Sequence, residues 1–383
     1  MNSPEAAVWR EREVQRAVST AGRAELVEQV VAVIDSAQEM VVVSSYLINH
    51  GATFESLRSA ARRGCRIYVL TDSEEQLRLR RTHRTETEHR EFKSYLALLK
   101  DLSTFAMVRS GNGIHAKAVL AIGAEQTLGD RSSRNASGLV MTANLRDGAL
   151  GRNAELVVPL EGRAAWDLFR ALRYAFFSVA SHAYDDGDLK PVSSAGQFVR
   201  PDLPTLWLKT ELDDEIERRV GKTVRDSLGE VVAMSHSWSI DHGVTRSLLD
   251  AAESGRRVTV IANSQVMSSV PVLRRMAKSG IHVFGRPHSH AKVVITSSSV
   301  CVSTANFKAF ERASSSFDLG LEVTGPDADH IRSTVSGWVE SAPLELNPAQ
   351  IDGEWPIAEV SSDKPRRGLG MRNFGRLRQF RRG

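Results

Sequence analysis

Apolar residues along the chain fall into short β-branched runs that alternate with longer, helically spaced segments. The elements that this pattern predicts in the N-terminal part are, in order, a helix over 8–38, a strand over 40–43, a helix over 54–63, a strand over 65–70, and helices over 92–102 and 166–180. Gly64 follows the second helix at the position where glycine commonly ends one. Strands that alternate with helices in this way predict an α/β fold with a mostly parallel sheet.

The same order of elements restarts after residue 210. A helix over 213–228 and a strand over 230–234 open this second set, and residues 248–261 match residues 57–70 glycine for glycine. The stretch 184–210 is rich in proline, glycine and acidic residues, as linkers are. We therefore predict a first half over 1–183, a linker over 184–210, a homologous second half over 211–345 and a tail over 346–383.

Each half contains one His-Ala-Lys triplet at the start of an apolar run. His115 and Lys117 precede one run, and His290 and Lys292 precede the other. Alternate residues of a strand share one face, so the imidazole and the ammonium of each triplet point the same way. An asparagine follows in each half, Asn144 and then Asn306. This doubled set predicts one composite pocket for an anion, and a phosphate is the obvious guest.

Charge is distributed unevenly along the chain. Residues 364–383 hold Lys364 and seven arginines without an acid, which leaves 42 basic and 46 acidic residues in the rest of the chain. Such a tail predicts a solvated arm whose partner is a polyanion. The N-terminus is too charged for a signal peptide, which favours a cytoplasmic location. Cys65 and Cys301 have no metal-binding neighbours and are expected to be buried.

The doubled residue set suits cleavage of a phosphodiester without a metal or other cofactor. Such cleavage needs a nucleophile, an acid that protonates the leaving oxygen, and fixed positive charge on the remaining oxygens. Two histidines supply the first two roles, and lysines and asparagines supply the third. No group of histidines has metal-ligand spacing in the sequence, although His236 and His242 are candidates for lining the cleft.

The doubled order of histidine, lysine, asparagine and acid resembles the phospholipase D superfamily over residues 25–345. The resemblance implies two homologous α/β/α halves that form one site, with His115 as nucleophile and His290 as general acid. It also implies that Glu155 and Glu322 orient the histidines. Many members carry an aspartate five residues after the lysine, where this chain has Ile122 and Ser297. That departure favours the nuclease and phosphodiesterase members over the lipid-cleaving ones.

Three functions compete on the sequence. A nuclease on DNA is favoured by the arginines of a predicted loop over 123–138 beside the site and by those of the tail, where aromatic residues are interleaved. These arginines are Arg131, Arg134, Arg366, Arg367, Arg372, Arg376, Arg378, Arg381 and Arg382. A helicase or another DNA-processing protein is the partner class expected for such a nuclease.

The second candidate function is a phospholipase or phosphatidyltransferase. The same tail would then lie on an anionic membrane, with Leu377 and Phe380 as weak insertion points. A membrane surface ranks below DNA as a partner because the body of the chain lacks a long apolar lid. The third candidate is a binding protein without catalysis, which ranks last because no motif histidine or lysine is lost.

Overall fold

Two β-sheets, one for each half of the chain, organise the protein. The computed structural model describes residues 8–11, 22–72, 86–128, 131–185, 187–192, 198–308 and 317–347. None of the helices within these ranges has the length and apolar content that crossing a membrane requires. Cys65 and Cys301 are free thiols and both are buried, as predicted.

The first half contains the elements predicted from its apolar pattern, together with several that the pattern did not show. In chain order its described elements are β1 Trp9–Glu11, α1 Gly22–Ser36, β2 Met40–Ser44, α2 Gly51–Arg62, β3 Arg66–Asp72, α3 Glu86–Leu102, β4 Met107–Gly111, β5 Ala118–Leu128, β6 Arg131–Met141, α4 Asp147–Arg152, β7 Val157–Glu161, α5 Gly162–Tyr174, a π-helical turn Ala175–Val179, β8 His182–Asp185 and β9 Asp188–Pro191.

The second half repeats this series in a shorter form. Its described elements are β10 Trp207–Lys209, α6 Glu215–Asp226, β11 Val231–Ser235, α7 Gly243–Glu253, β12 Val258–Asn263, a 3₁₀ turn Met267–Ser269, α8 Val270–Lys278, β13 His282–Arg286, β14 Val293–Ile295, β15 Val300–Ser303, β16 Asp318–Val323, α9 Gly325–Glu340 and β17 Leu344–Leu346.

The strand order of the two sheets confirms the repeat. Among the described strands, the first sheet runs β7-β6-β5-β2-β3-β4-β8-β9 and the second runs β16-β15-β14-β11-β12-β13-β17-β1, with β10 added beside β16. The parallel pairs are β2 with β3, β3 with β4, β11 with β12, and β12 with β13. The other pairs are antiparallel, and hairpins connect three of them, β5 with β6, β8 with β9 and β14 with β15. The predicted α/β class is confirmed, with parallel pairing confined to the sheet centres.

A single apolar core joins the halves. It includes α5, α9 and one face of each sheet, with Leu120 and Val293 among its fully buried members. The outer faces of the two sheets carry separate cores, one with α1 to α3 and one with α6 to α8. The five layers therefore run helix, sheet, helix, sheet, helix, and the shared middle layer fixes the two sheets against each other.

Two predicted boundaries differ in the structure. A helix was expected over 8–38, but residues 9–11 form a strand that pairs with β17 of the second half. The described helix is Gly22–Ser36. Trp9 packs its ring against Gly285, where an added Cβ would lie only 2.7 Å from the ring. The expected linker over 184–210 also contributes strands to both sheets. Both elements pair with strands that are distant in sequence, which local periodicity does not show.

Candidate active site

The two His-Ala-Lys triplets meet where the halves join. Ala116 donates its amide hydrogen to the carbonyl of Phe317 in the other half, with 2.7 Å between nitrogen and oxygen. Ala291 makes the reciprocal bond to the carbonyl of Ala154, at 2.9 Å. Each triplet is thus tied by its backbone to the strand region of the other half that carries an acidic residue, and the two triplets contribute to one composite site.

Each motif histidine is paired with a carboxylate from the other half. His115 Nδ1 lies 2.8 Å from Asp318 Oδ1, and His290 Nδ1 lies 2.8 Å from Glu155 Oε1. The side chains of both acids are almost fully buried, with 1% and 3% of their surface exposed. A carboxylate only accepts hydrogen bonds, so each Nδ1 carries the hydrogen. Nε2 of His115 is left for the substrate, and Nε2 of His290 lies 3.2 Å from Lys292 Nζ.

Threonine hydroxyls orient the two acids in the same way. Thr304 donates its hydroxyl hydrogen to Asp318 at 2.7 Å, and Thr142 donates to Glu155 at 2.7 Å. Asn153 adds a hydrogen bond from its amide nitrogen to Glu155 at 3.0 Å. These bonds hold the carboxylates and, through them, the planes of both imidazoles.

The structure corrects the expected role of Glu322. This residue is exposed on β16, where its carboxylate accepts a hydrogen bond from Ser299 at 2.6 Å. Asp318, four residues earlier at the start of the same strand, takes the place of the orienting acid. The two residues are four apart, so the strand period of two puts them on the same face of β16. Only Asp318, the first residue of the strand, reaches the site.

Both motif lysines are completely buried beside the histidines. Lys117 donates to the carbonyl of His115, and Lys292 donates to the carbonyl of His290 while its Nζ lies 3.1 Å from His290 Nδ1. Burial and the nearby Lys292 lower the pKa of Lys117 well below its usual value, and burial lowers the pKa of Lys292 to about 8. Two buried lysines, one of which lowers the pKa of the other, suit a site that receives an anion.

The environment lowers the pKa of both histidines. Burial, together with the charge of Lys117, lowers the pKa of His115 to about 4, although Asp318 opposes the shift. Burial also lowers the pKa of His290, against the effect of Glu155. Asp318 stays ionised because the effect of burial on its pKa is outweighed by His115 and Lys117. The site therefore combines imidazoles of lowered pKa with ionised acids.

The two asparagines complete the pattern of the triplets. Asn144 follows β6 and is buried, and Asn306 follows β15 and is half-buried. In both, the amide oxygen Oδ1 is shielded from solvent and makes no hydrogen bond to any described residue. A buried polar atom of this kind normally has a partner, so these carboxamides fit a site that closes around a polar ligand.

Comparison with known proteins gives the same assignment. Residues 30–174 match the family model described as cardiolipin synthase, PLD-like domain. The first half of the chain therefore contains a phospholipase D-like domain, the family that the doubled motif resembles. A search of curated protein sequences finds no significant relative.

Solved structures of this superfamily fold are similar over most of the chain. The phosphatidylserine synthase of Haemophilus influenzae Rd KW20 matches with a TM-score of 0.60 and 12% identity over 91% of each chain. The polyphosphate kinase of Porphyromonas gingivalis matches with a TM-score of 0.58 and 14% identity over 91% of this chain, which spans 50% of the kinase. At these identities the likeness shows the fold alone. The Salmonella typhimurium phospholipase D family member Nuc matches 37% of this chain at 15% identity, with 98% of Nuc covered and a TM-score of 0.31.

The arginines predicted to line a loop beside this phospholipase D-like site lie elsewhere. Arg131 and Arg134 belong to β6, in a hairpin where Leu128 pairs with Arg131. Ala118, at the site end of β5, is ten residues from the hairpin turn, or about 33 Å of extended strand. The expectation of a loop at the site is therefore wrong. The side chains of Arg131 and Arg134, and all the tail arginines, lie outside the described residues.

Two residues beside the motif histidines were not recognised as a pair from the sequence. The ring of Tyr46 lies edge-on to His115 with 5.5 Å between centroids, and the ring of His236 lies edge-on to His290 at 5.0 Å. Tyr46 follows Ser45, the residue after β2, and His236 follows Ser235, the last residue of β11, so an alignment of the two halves would have found them. His242, also a candidate for the cleft, instead caps α7.

One group of side chains in the described ranges has metal-binding spacing, and it includes no motif residue. The ligand atoms of Asp214, Glu217 and His242 lie within 4.8 Å of one another. Lys209 Nζ is 2.7 Å from the Asp214 carboxylate, and His242 Nδ1 accepts a hydrogen bond from the amide of Val244. Asp214 is therefore paired with the Lys209 ammonium, and His242 is bonded to the backbone of α7. We interpret the cluster as a structural network at the start of α7.

Proposed function

We propose that this chain is a metal-independent phosphodiesterase that acts through His115 and His290, with DNA as its substrate. The reciprocal pairing of the two histidines carries the proposal: each has its Nδ1 held at 2.8 Å by a buried carboxylate of the other half. Buried lysines stand beside both. Side chains thus supply the nucleophile, the acid and the positive charge that cleavage of a phosphodiester requires.

In the first step, His115 Nε2 attacks the phosphorus atom. The bond from phosphorus to the leaving oxygen breaks, and that oxygen takes a proton from Nε2 of His290. The remaining phosphoryl group is then covalently bound to His115. His115 suits the role of nucleophile because its lowered pKa favours the neutral imidazole, and Asp318 stabilises the positive charge that develops on the ring.

In the second step, water replaces the histidine. His290, now neutral, accepts a proton from water, and the water oxygen bonds to phosphorus as the bond to His115 breaks. The products are an alcohol and a phosphomonoester, and both histidines return to their starting states. Lys117, Lys292 and the two asparagines stabilise the charge on the other phosphoryl oxygens throughout, an effect that burial strengthens.

The choice of DNA rests on the basic tail. Its arginines would neutralise backbone phosphates, and Phe374 and Phe380 would stack on unpaired bases. Arg131 and Arg134 would add a second contact about 30 Å from the site, at the hairpin turn. A membrane-lipid substrate is the second candidate, because a phosphatidylserine synthase shares the fold over 91% of this chain and a basic tail also suits an anionic membrane.

A single set of assays separates these functions. The purified full-length protein is incubated in excess chelator with labelled single-stranded DNA, duplex DNA, RNA and phosphatidylcholine vesicles. We expect cleavage of DNA, which is lost in His115→Ala and retained in the exposed control His282→Ala. Turnover of the vesicles alone would replace DNA by lipid, and a strict need for a divalent ion would contradict the two-histidine chemistry.

Removal of residues 364–383 tests the tail. We expect weaker DNA binding and a flatter salt dependence, because each phosphate neutralised by a basic residue releases a counterion. Turnover of bis-nitrophenyl phosphate should be retained, since every catalytic residue precedes Pro326. Unchanged DNA affinity with loss of binding to anionic vesicles would show instead that the tail is a membrane element.

A further inference from the structure

The chain segments at the ends of β2 and β11 are equivalent in structure. The hydroxyl of Ser45 accepts a hydrogen bond from the amide of Leu145 at 3.0 Å. The hydroxyl of Ser235 accepts the same bond from the amide of Phe307 at 3.1 Å. Leu145 and Phe307 each follow the motif asparagine of their half. The residue after each serine therefore occupies the same place relative to its half of the site.

The residues at these equivalent places differ in chemistry. In the first half the place is taken by Tyr46, whose ring touches His115, and in the second by His236, whose ring touches His290. Both side chains are half-buried. A phenol ring offers an aromatic face and one hydroxyl, whereas an imidazole offers a ring N–H that turns into a cationic donor when protonated.

The last residues of β3 and β12 also differ in chemistry between the halves. Asp72 ends β3 and accepts a hydrogen bond from the amide of Gly113 at 3.0 Å. Asn263 ends β12, and its amide nitrogen donates to the carbonyl of Ser289 at 3.0 Å and lies 3.2 Å from Nδ1 of His236. A carboxylate in the first half is thus replaced by a neutral carboxamide that contacts an imidazole.

The third difference involves the backbone two residues before each motif histidine. Gly113 precedes His115 with φ at 80°, and His288 precedes His290 with φ at 60°. Glycine adopts this left-handed region freely, whereas a residue with a side chain is strained there. A strained residue beside an active site points to a function for its side chain. The second half therefore keeps an imidazole where the repeat would accept glycine.

We propose that His236, Asn263 and His288 form a subsite for a second phosphate, beside the phosphate held between the motif histidines. The three positions contain two imidazoles and a carboxamide without a carboxylate, whereas their first-half counterparts contain Asp72. A carboxylate repels a phosphate, whereas an imidazole N–H donates a hydrogen bond to it. The amide nitrogen of Asn263 contacts Ser289 and His236 and so positions the His236 ring. This inference rests on the proposed function and adds to it that the substrate continues with another phosphate on the His290 side, as a nucleic acid strand does.

Isothermal titration calorimetry with uncleavable ligands tests the subsite without turnover. Thymidine 3′,5′-bisphosphate carries two phosphates with the separation found in DNA, and the 3′- and 5′-monophosphates carry one. We expect the full-length protein to bind the bisphosphate about tenfold more tightly than either monophosphate, the gain typical of added hydrogen bonds to a charged group. His236→Gln should reduce this ratio to within about twofold.

Two further variants keep the result interpretable. His288→Gly places in the second half the residue that the first half has at this position, so it should fold well and also reduce the ratio. His282→Gln replaces an exposed histidine at the opposite end of β13 and should leave the ratio unchanged.

Two outcomes would overturn the subsite. One is equal binding of bisphosphate and monophosphates by the unmodified protein, and the other is a preference that survives both His236→Gln and His288→Gly. If pyrophosphate bound more tightly than the bisphosphate, the two phosphate positions would lie closer together than the phosphates of a nucleic acid strand do. Failure of the proposed function is a separate result, since it would show as the absence of diester cleavage and not as a change in these binding ratios.

Discussion

The first and second halves of the chain form sheets with the same strand order, but they differ in the hairpin that follows the histidine triplet. In the first half, β5 and β6 are 11 residues each, whereas β14 and β15 have 3 and 4 residues. The added length extends away from the active site, and the site ends of the two hairpins carry the same groups. The two halves are therefore alike at the end of each sheet that contacts the other half, and they differ at the far end of the hairpin.

The acids show that neither half holds a complete site. The histidine of one half depends on the carboxylate of the other, at 2.8 Å in both directions. Separated from the second half, the first would leave Glu155 and Lys117 without the groups that accompany them, and an uncompensated buried charge is costly. The duplication therefore supplied two copies of a scaffold, and the proposed catalytic site exists only where the two copies meet.

The largest effect should come from replacing either histidine. His115→Ala and His290→Ala should each lower cleavage of DNA by about 10⁴-fold or more, as loss of a nucleophile or of a general acid does. A p-nitrophenyl ester needs little protonation of its leaving group, so His290→Ala should still form the covalent intermediate from it and release a burst of about one equivalent of nitrophenol, whereas His115→Ala should release none. The amplitude of the burst before steady state measures the difference.

Matched variants define the outcome of that comparison. His282→Ala, at an exposed position, should have the activity of the unmodified protein. A burst of nitrophenol from His115→Ala, and none from His290→Ala, would reverse the two roles. Full activity in either single variant on DNA would rule out the two-histidine mechanism.

Much of the fold and most of the site could be predicted from the sequence because the chain contains the same pattern twice. A single His-Ala-Lys triplet is a weak signal, but two copies followed by Asn144 and Asn306 at corresponding places identified the site. Gly64 and Gly255 were matched between the halves, and both have a positive φ at the end of a helix, at 92° and 84°. Local patterns of this kind are carried by the elements themselves.

The errors concern contacts between distant parts of the chain. Matching the strand of Glu322 to that of Glu155 by its apolar residues shifted the register, and the hydrogen bonds of Thr304 and Thr142 show that Asp318 is the true counterpart. The apolar pattern predicts helix at Trp9, where the structure has a strand whose partner lies more than 300 residues later. Register and long-range pairing depend on the assembled sheets, which a local reading does not contain.

The second effect in size concerns the acids. Asp318→Asn and Glu155→Gln should each lower kcat by about 10²- to 10⁴-fold, since a histidine without its carboxylate loses its tautomer and the partner of its cationic form. Glu322→Gln, which changes an exposed carboxylate on the same strand as Asp318, should alter kcat by less than about twofold. A large loss in Glu322→Gln with little change in Asp318→Asn would restore the register expected from the sequence.

The third effect is on the pH dependence of kcat/KM, which reports the free enzyme. Cleavage requires neutral His115, whose pKa is about 4, and protonated His290, whose pKa lies below its usual value of 6.5. We therefore expect an acid limb near pH 4, a maximum below pH 6.5 and a tenfold fall per pH unit at higher pH. An optimum above pH 7 would contradict these pKa shifts.

The Glu155→Gln variant shows which limb belongs to which histidine. The Glu155 carboxylate raises the pKa of His290, so its removal should move the basic limb to lower pH and leave the acid limb in place. Glu322→Gln should move neither limb. A displaced acid limb in Glu155→Gln would mean that His290 is the nucleophile.

The smallest effect tests the backbone difference between the halves. Gly113→Ala puts a side chain at φ 80° and should lower the free energy of unfolding by about 1 kcal/mol. His288→Gly removes a side chain from φ 60° and should raise the free energy of unfolding by up to about 1 kcal/mol. The added freedom of glycine in the unfolded chain reduces this gain. Thermal unfolding should show midpoints moved in opposite directions by about 2 °C. A lower midpoint in His288→Gly would mean that the imidazole stabilises the fold by more than its backbone strain, and that position 288 serves the structure of the second half rather than ligand binding.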